Sequence, residues 1–258
     1  ADERDKLLEA AVGMTTAQAE NAFALAWLEN KAFGAGAVRT VYECKTAAVK
    51  KSGSLECLLQ SGESLDDVGG FNLYKGFVER KVATFTKKGL DFGLRRSKGV
   101  LLLGAPGTGK SLCAKATATA LKLPLLRADI GALYGSFVGD SERTTREMIK
   151  MAEAMSPVVL WIDEIDKTMG SATAAGLTSD VTQRVIGTIL TWRQESTAPV
   201  FVVATANRLD KLDPALMRPG RFDAVFWVDL PGKEERADIF KIHLRKKRRE
   251  KLPWVTAK

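Results

Sequence analysis

The stretch that most constrains this chain is an octapeptide, Gly104-Ala105-Pro106-Gly107-Thr108-Gly109-Lys110-Ser111. It follows the short apolar run Val100–Leu103 and opens a helical pattern, the setting in which such a loop wraps phosphate. Glycines at 104, 107 and 109 let the backbone curl until successive N–H groups point inward, and the positive end of the following helix adds to their field. Lys110 offers a point charge to the β- and γ-phosphates, and the Ser111 hydroxyl suits Mg²⁺. With Pro106, Thr108 and Leu112 these residues form the expected contact surface for a nucleoside triphosphate and its magnesium ion.

Such a loop sits at the C-terminal end of a strand, and the sequence around it alternates as that requires. Short apolar runs at Val100–Leu103, Pro124–Ala128, Val158–Ile162, Val200–Thr205 and Val225–Val228 are separated by helical patterns, one of them over Glu142–Ala154. This punctuation predicts an α/β fold with a five-stranded, mainly parallel sheet and helices on both faces.

Upstream, residues 5–33 predict two helices. Gly13 ends the first, and Thr15 with Gln18 offers a capping box to the second. Ala19, Phe23, Ala26 and Trp27 form an apolar stripe that either packs internally or fills a partner's groove. A further helical stretch near 38–60 leads to Ser61-Gly62-Glu63-Ser64, read as a linker. The expected division is a helical region at 1–62, an α/β domain at 63–231 and a short basic segment at 232–258. Small residues over 170–176 predict a loop.

Two strand ends carry polar groups suited to phosphate chemistry. Val158–Ile162 runs into Asp163-Glu164, which places two carboxylates at the edge where open α/β sheets bind ligands. Asp163 is expected to hold the Mg²⁺ shell and Glu164 to orient the attacking water. Asp166 either supports the loop through an ion pair or acts directly. Val200–Thr205 ends at Ala206-Asn207, and the Asn207 amide can bridge the γ-phosphate and that water.

Composition excludes other classes. Cys44, Cys57 and Cys113 lack metal-ligand spacing and His243 is the single histidine, which argues against zinc sites and histidine triads. No run of about 18 apolar residues occurs and the first residues are highly charged, so no membrane span or secretory leader is expected. A cytoplasmic protein follows, or a stromal one if the source is a photosynthetic eukaryote. The formal charge is +8, but residues 233–258 hold ten Lys/Arg against four Asp/Glu, so the basicity belongs to the tail. That tail reads as a solvated helical face, a surface for an acidic partner or a nucleic-acid contact.

Taken in order, these landmarks resemble the AAA ATPase family over roughly Leu65 to His243. Ala204–Asp210, then Leu212–Asp223, is similar to that family's sensor and second region of homology. The resemblance implies that Arg218 and Arg221 are arginine fingers reaching nucleotide on a neighbouring subunit, hence a homo-oligomer, either a hexamer-like ring or a helix. It implies that Val68 and Gly69, within Asp67-Val68-Gly69-Gly70, contact the base. It implies that Phe137 and Val138, in Phe137-Val138-Gly139, form a pore loop gripping a protein substrate, where the bare sequence reads a core or turn residue. Only Lys233–Arg249 is left to begin the family's helical lid, so a truncated lid is expected. The N-terminal helices, Ser52–Glu56 and Leu190–Glu195 resemble AAA proteins of plastid and cyanobacterial hypothetical reading frames. A protein-remodelling ATPase is the leading expectation. A nucleic-acid loader and an ATP-gated scaffold are the alternatives.

Overall fold

Strand sequences decide the layering. The computed structural model describes residues 2–11, 14–50, 55–58, 62–129, 140–166, 177–212 and 214–247. The strands are β1 (Leu55–Leu58), β2 (Gly99–Gly104), β3 (Leu125–Asp129), β4 (Val158–Asp163), β5 (Val200–Ala206) and β6 (Ala224–Val228). Nearly every residue of β2, β4 and β5 is buried, as suits central strands covered on both faces. The order across the sheet is β1-β3-β4-β5-β2-β6. All neighbours are parallel except β1, which pairs antiparallel with β3.

The helices are α1 (Asp2–Ala11), α2 (Thr16–Asn30), α3 (Ala35–Lys50), α4 (Asn72–Val82), α5 (Lys87–Asp91), α6 (Lys110–Leu121), α7 (Asp140–Ala154), α8 (Leu177–Glu195) and α9 (Lys233–Lys246). Alternate strand residues split the core in two. Leu101, Leu160, Ile162 and Val202 meet Met148 of α7 and Ile186 and Ile189 of α8. On the other face Val100, Leu102, Trp161 and Phe201 meet Cys113 and Ala114 of α6 and Tyr74 and Val78 of α4.

The sheet has six strands where five are expected. The extra one, β1, lies in the stretch read as helical; α3 ends at Lys50 and the chain resumes as a strand at Leu55. Leu55 and Cys57 are buried while Glu56 is exposed, a period of two that four residues are too few to reveal in a sequence. The expected boundary at 62 therefore falls after a strand that belongs to the sheet. Ser64 of the expected linker caps a 3₁₀ turn at Leu65–Asp67.

The N-terminal helices form a small core of Leu7, Ala10, Ala22, Ala26, Ala37 and Val41. Thr15 and Gln18 make the expected capping box. Trp27, expected in the internal stripe, is half exposed and leans on Phe33, with ring centres 5.1 Å apart.

One buried cation fixes the strand starts beneath the phosphate loop. The Arg193 guanidinium donates to the carbonyls of Lys98 and Val200, and burial lowers its pKa to about 10. The amides of Lys98 and Gly99 donate to Asp223 Oδ2 at 2.7 and 3.1 Å. These bonds tie β2, β5 and β6 together at one end, so the loop at the other end has a fixed base.

Candidate active site

The octapeptide joins β2 to α6, as its sequence requires. Gly109 holds φ +93° just before α6, a conformation that suits glycine, and a Cβ on Gly104 would lie 1.9 Å from the Val228 carbonyl oxygen. Thr108 Oγ1 donates to the Ala105 carbonyl at 2.8 Å and braces the turn. Lys110 is buried, and its Nζ donates to the carbonyls of Gly104 and Ala105 at 2.7 and 2.6 Å. Burial pulls the ammonium below its ordinary pKa, and Asp166, Glu164 and Asp163 oppose that shift. Ser111, beside it, is exposed at the first turn of α6.

Across from the loop, the ends of β4 and β5 form one polar network. Thr205 Oγ1 accepts from the Glu164 amide at 3.0 Å and donates to Asp163 Oδ1 at 2.8 Å. Asn207 Nδ2 donates to Glu164 Oε1 at 3.2 Å, and the Asn207 amide donates to buried Asp166 at 3.0 Å. Asp166 is thus a supporting acceptor beneath Asn207. Glu164 has φ +50°, an uncommon left-handed conformation for a residue with a side chain. The hydrogen bond that its backbone N–H donates to Thr205 Oγ1 holds that conformation. Arg127 of β3 donates from Nη2 to Asp163 Oδ2 at 3.1 Å.

Two cavities flank the loop. One of about 500 Å³ is lined by Lys110, Ser111, Arg127, Asp163, Glu164 and Asn207, with Pro106 and Thr205. The other, of about 530 Å³, is lined by Val68, Gly69, Leu112, Ile239, Ile242 and His243, among others. Gly107 and Gly109 wall both. A Cβ on Gly69 would lie 2.4 Å from Ile239 Cγ1, so the segment after Asp67 lies directly against α9. Asp67 accepts the Ser64 amide and pairs with Lys246 at 3.3 Å and Arg245 at 3.8 Å. The Ser64 amide first, and then Lys246, hold its carboxyl below the usual range.

The structure therefore brings the expected loop residues, Asp163, Glu164 and Asn207 together, and brings Val68 and Gly69 to the same loop from the far side. Arg218 and Arg221 line neither cavity: Arg218 is exposed, and Arg221 donates to the Ala215 carbonyl. Phe137 and Val138 lie outside the described residues. Several lining residues have no site role in the sequence reading. Thr205 ends an apolar run, Arg127 interrupts another, and Ile239, Ile242 and His243 follow a helical i, i+3, i+4 spacing.

The family model described as "ATPase family associated with various cellular activities (AAA)" matches residues 100–230. The chain belongs to the AAA ATPase family. A second family model, "SpoVK-like AAA ATPase, second domain", matches residues 1–52. Similar AAA proteins include the "Uncharacterized AAA domain-containing protein ycf46" of Pyropia yezoensis. It is 50% identical over 182 residues, covering 70% of this chain and 37% of that protein. The protein of the same name from Guillardia theta is 41% identical over 244 residues, 94% of this chain and 47% of the relative. A "Proteasome-activating nucleotidase" of Methanococcus maripaludis is 36% identical over 189 residues, 71% of this chain and 46% of the relative. The chain thus spans less than half the length of each of these AAA relatives. Among the described residues no helix is long and apolar enough to cross a membrane.

Proposed function

We propose that this AAA chain binds ATP across the phosphate loop and hydrolyses it, and that an assembly of copies uses the turnover to remodel protein substrates. The observation that carries the reading is the pair of cavities sharing Gly107 and Gly109. One is largely apolar and suited to a base, and the other is rich in charge and suited to a triphosphate. Loop amides and Lys110 would hold the phosphates, with Lys110 turning from the Gly104 and Ala105 carbonyls to the phosphate oxygens. Ser111 and Asp163 are hard oxygen donors at the α6 and β4 ends, which fits an ion that keeps several waters and takes its other ligands from phosphate. Mg²⁺ bound there would neutralise charge on the phosphate oxygens.

The remaining chemistry belongs to the chain's own side chains. Asn207 fixes one oxygen of Glu164 at 3.2 Å, so the carboxylate is oriented before water arrives. Glu164 aligns that water and takes its proton as oxygen bonds to the γ-phosphorus. The bond from phosphorus to the β–γ bridging oxygen breaks, leaving ADP and phosphate. Arg218, exposed and away from its own chain's cavities, is suited to act on a neighbour's nucleotide, with Arg221 beside it. A homo-oligomer, ring or helix, follows from that role. Similarity to a proteasome-activating nucleotidase supports a protein substrate, with Phe137 and Val138 as the gripping residues. The basic tail gives less support to a nucleic-acid role, because Arg245 and Lys246 pair with Asp67 within the chain.

Phosphate release measured against protein concentration, alongside sedimentation with MgATP, tests the proposal. Turnover per chain should climb as copies associate. Full-speed hydrolysis by a monomer would sink the shared-site reading, and remodelling that survives Phe137→Ala would remove the pore.

A further inference from the structure

We propose that Arg127 is a positioning residue for Asp163, and that Glu56 on the edge strand sets where its guanidinium stands. The inference rests on the reading that Asp163 serves the Mg²⁺ of a bound nucleotide. Glu56, Arg127 and Trp161 are successive partners across β1, β3 and β4, so their side chains emerge on one face of the sheet. Trp161 packs with Cys113 and Ala114 there, so this is the face that carries α6, with Lys110 and Ser111 at its first turn.

Arg127 makes three contacts from that row. Its Nη2 lies 3.1 Å from Asp163 Oδ2, its Nη1 lies 3.7 Å from Glu56 Oε2, and its guanidinium carbon lies 4.9 Å from the centre of the Trp161 ring. Its Nε is buried without a hydrogen-bond partner, which is unfavourable. Methionine or lysine would cover the same tryptophan face without that loss. What requires a planar fork is holding Asp163 and Glu56 at once.

The consequence falls on Asp163. Thr205 bonds its Oδ1 and Arg127 bonds its Oδ2, so the carboxylate cannot rotate without losing a partner. Partners of this outer kind orient metal-binding carboxylates, and losing one typically costs about 10- to 100-fold in metal affinity or activity. Glu56 is exposed and its pair is longer, so its share is smaller. Because β1 continues from α3, the N-terminal helices reach the magnesium edge of the site through two ion pairs.

The test titrates Mg²⁺ into the full chain with a fluorescent ATP analogue, recording equilibrium binding as well as turnover. In Arg127→Ala the Mg²⁺ concentration for half-maximal effect should rise about 10-fold. Arg127→Lys should recover part of the shift, and Glu56→Gln should move the midpoint the same way by about 2- to 3-fold. If Arg127→Ala does not fold, the other two variants carry the test. An unchanged midpoint in every soluble variant overturns the proposal. Asp163→Asn separates the two readings. If it abolishes the Mg²⁺ response while the Arg127 and Glu56 variants leave it intact, only this inference falls. If Asp163→Asn also responds normally, the magnesium reading falls with it.

Discussion

The two cavities on either side of the phosphate loop are nearly equal in volume, about 500 and 530 Å³, yet they are built in opposite ways. The charged one is made at the ends of neighbouring parallel strands, where β3, β4 and β5 bring Arg127 into hydrogen-bonding reach of Asp163, and Asn207 into reach of Glu164. The other is made by two distant segments meeting, Asp67–Phe71 and α9, and its walls are largely apolar. The contrast predicts a division of labour. Changes at Glu164 or Asn207 in the first cavity should alter the rate of bond breaking, and changes in the second should alter how tightly nucleotide is held.

The largest effect should come from a residue in neither cavity. Replacing Arg218 or Arg221 by alanine should lower kcat by about 10³-fold with nucleotide binding retained, as for an arginine supplied in trans. Mixing such a variant with Lys110→Ala chains would sharpen this. Restored turnover would mean that each supplies what the other lacks, and none would return if the arginines serve their own chain. Next, Glu164→Gln should reduce turnover by about 10²- to 10³-fold while ATP binding persists, measured by single-turnover assay beside equilibrium binding. Equal losses in both would erase the distinction between the cavities.

On the apolar side, Gly69→Ala places a Cβ 2.4 Å from Ile239 Cγ1 and 3.0 Å from its Cα, so α9 must shift. KM for ATP should rise about 10-fold with kcat nearly unchanged. A fall in kcat alone would break the comparison. The smallest effect concerns Asp67, whose carboxyl is held below the usual range by Ser64 and then Lys246. A depressed pKa means that its stabilisation is complete above the unfolded value, about 3.9, and disappears as pH falls through the lower folded value. Melting curves of the parent chain and Asp67→Asn should therefore differ at neutral pH and converge under strongly acidic conditions.

The same contrast explains how much could be read in the sequence. The charged cavity rests on contiguous runs, each a strand followed at once by its candidate site residues, so Gly104–Ser111, Asp163-Glu164 and Asn207 stand out without a structure. Thr205 does not, because a threonine ending an apolar strand looks like any β-former until Asp163 and Glu164 are seen on either side of its hydroxyl. Arg127 is a single cation in an apolar run, and its meaning depends on strand order, which puts β1 and β4 on its two sides. The apolar cavity was half legible. Val68 and Gly69 stand out only through family resemblance, and Ile239, Ile242 and His243 reach it because α9 folds back over residues separated from it by most of the domain. Strand β1 was missed for a related reason: four residues carry too little periodicity, and its partner lies some 70 positions away.

That short strand also governs how the molecule can be divided. Trimming the chain to the compositional break near residue 62 would strip β3 of its antiparallel neighbour and leave a row of unpaired amides and carbonyls at a sheet margin. Such margins recruit strands from other molecules. A fragment prepared that way is therefore expected to clump for reasons unrelated to nucleotide, whereas a cut in the turn before Ala35 would spare the margin at the expense of the small alanine-rich helical core.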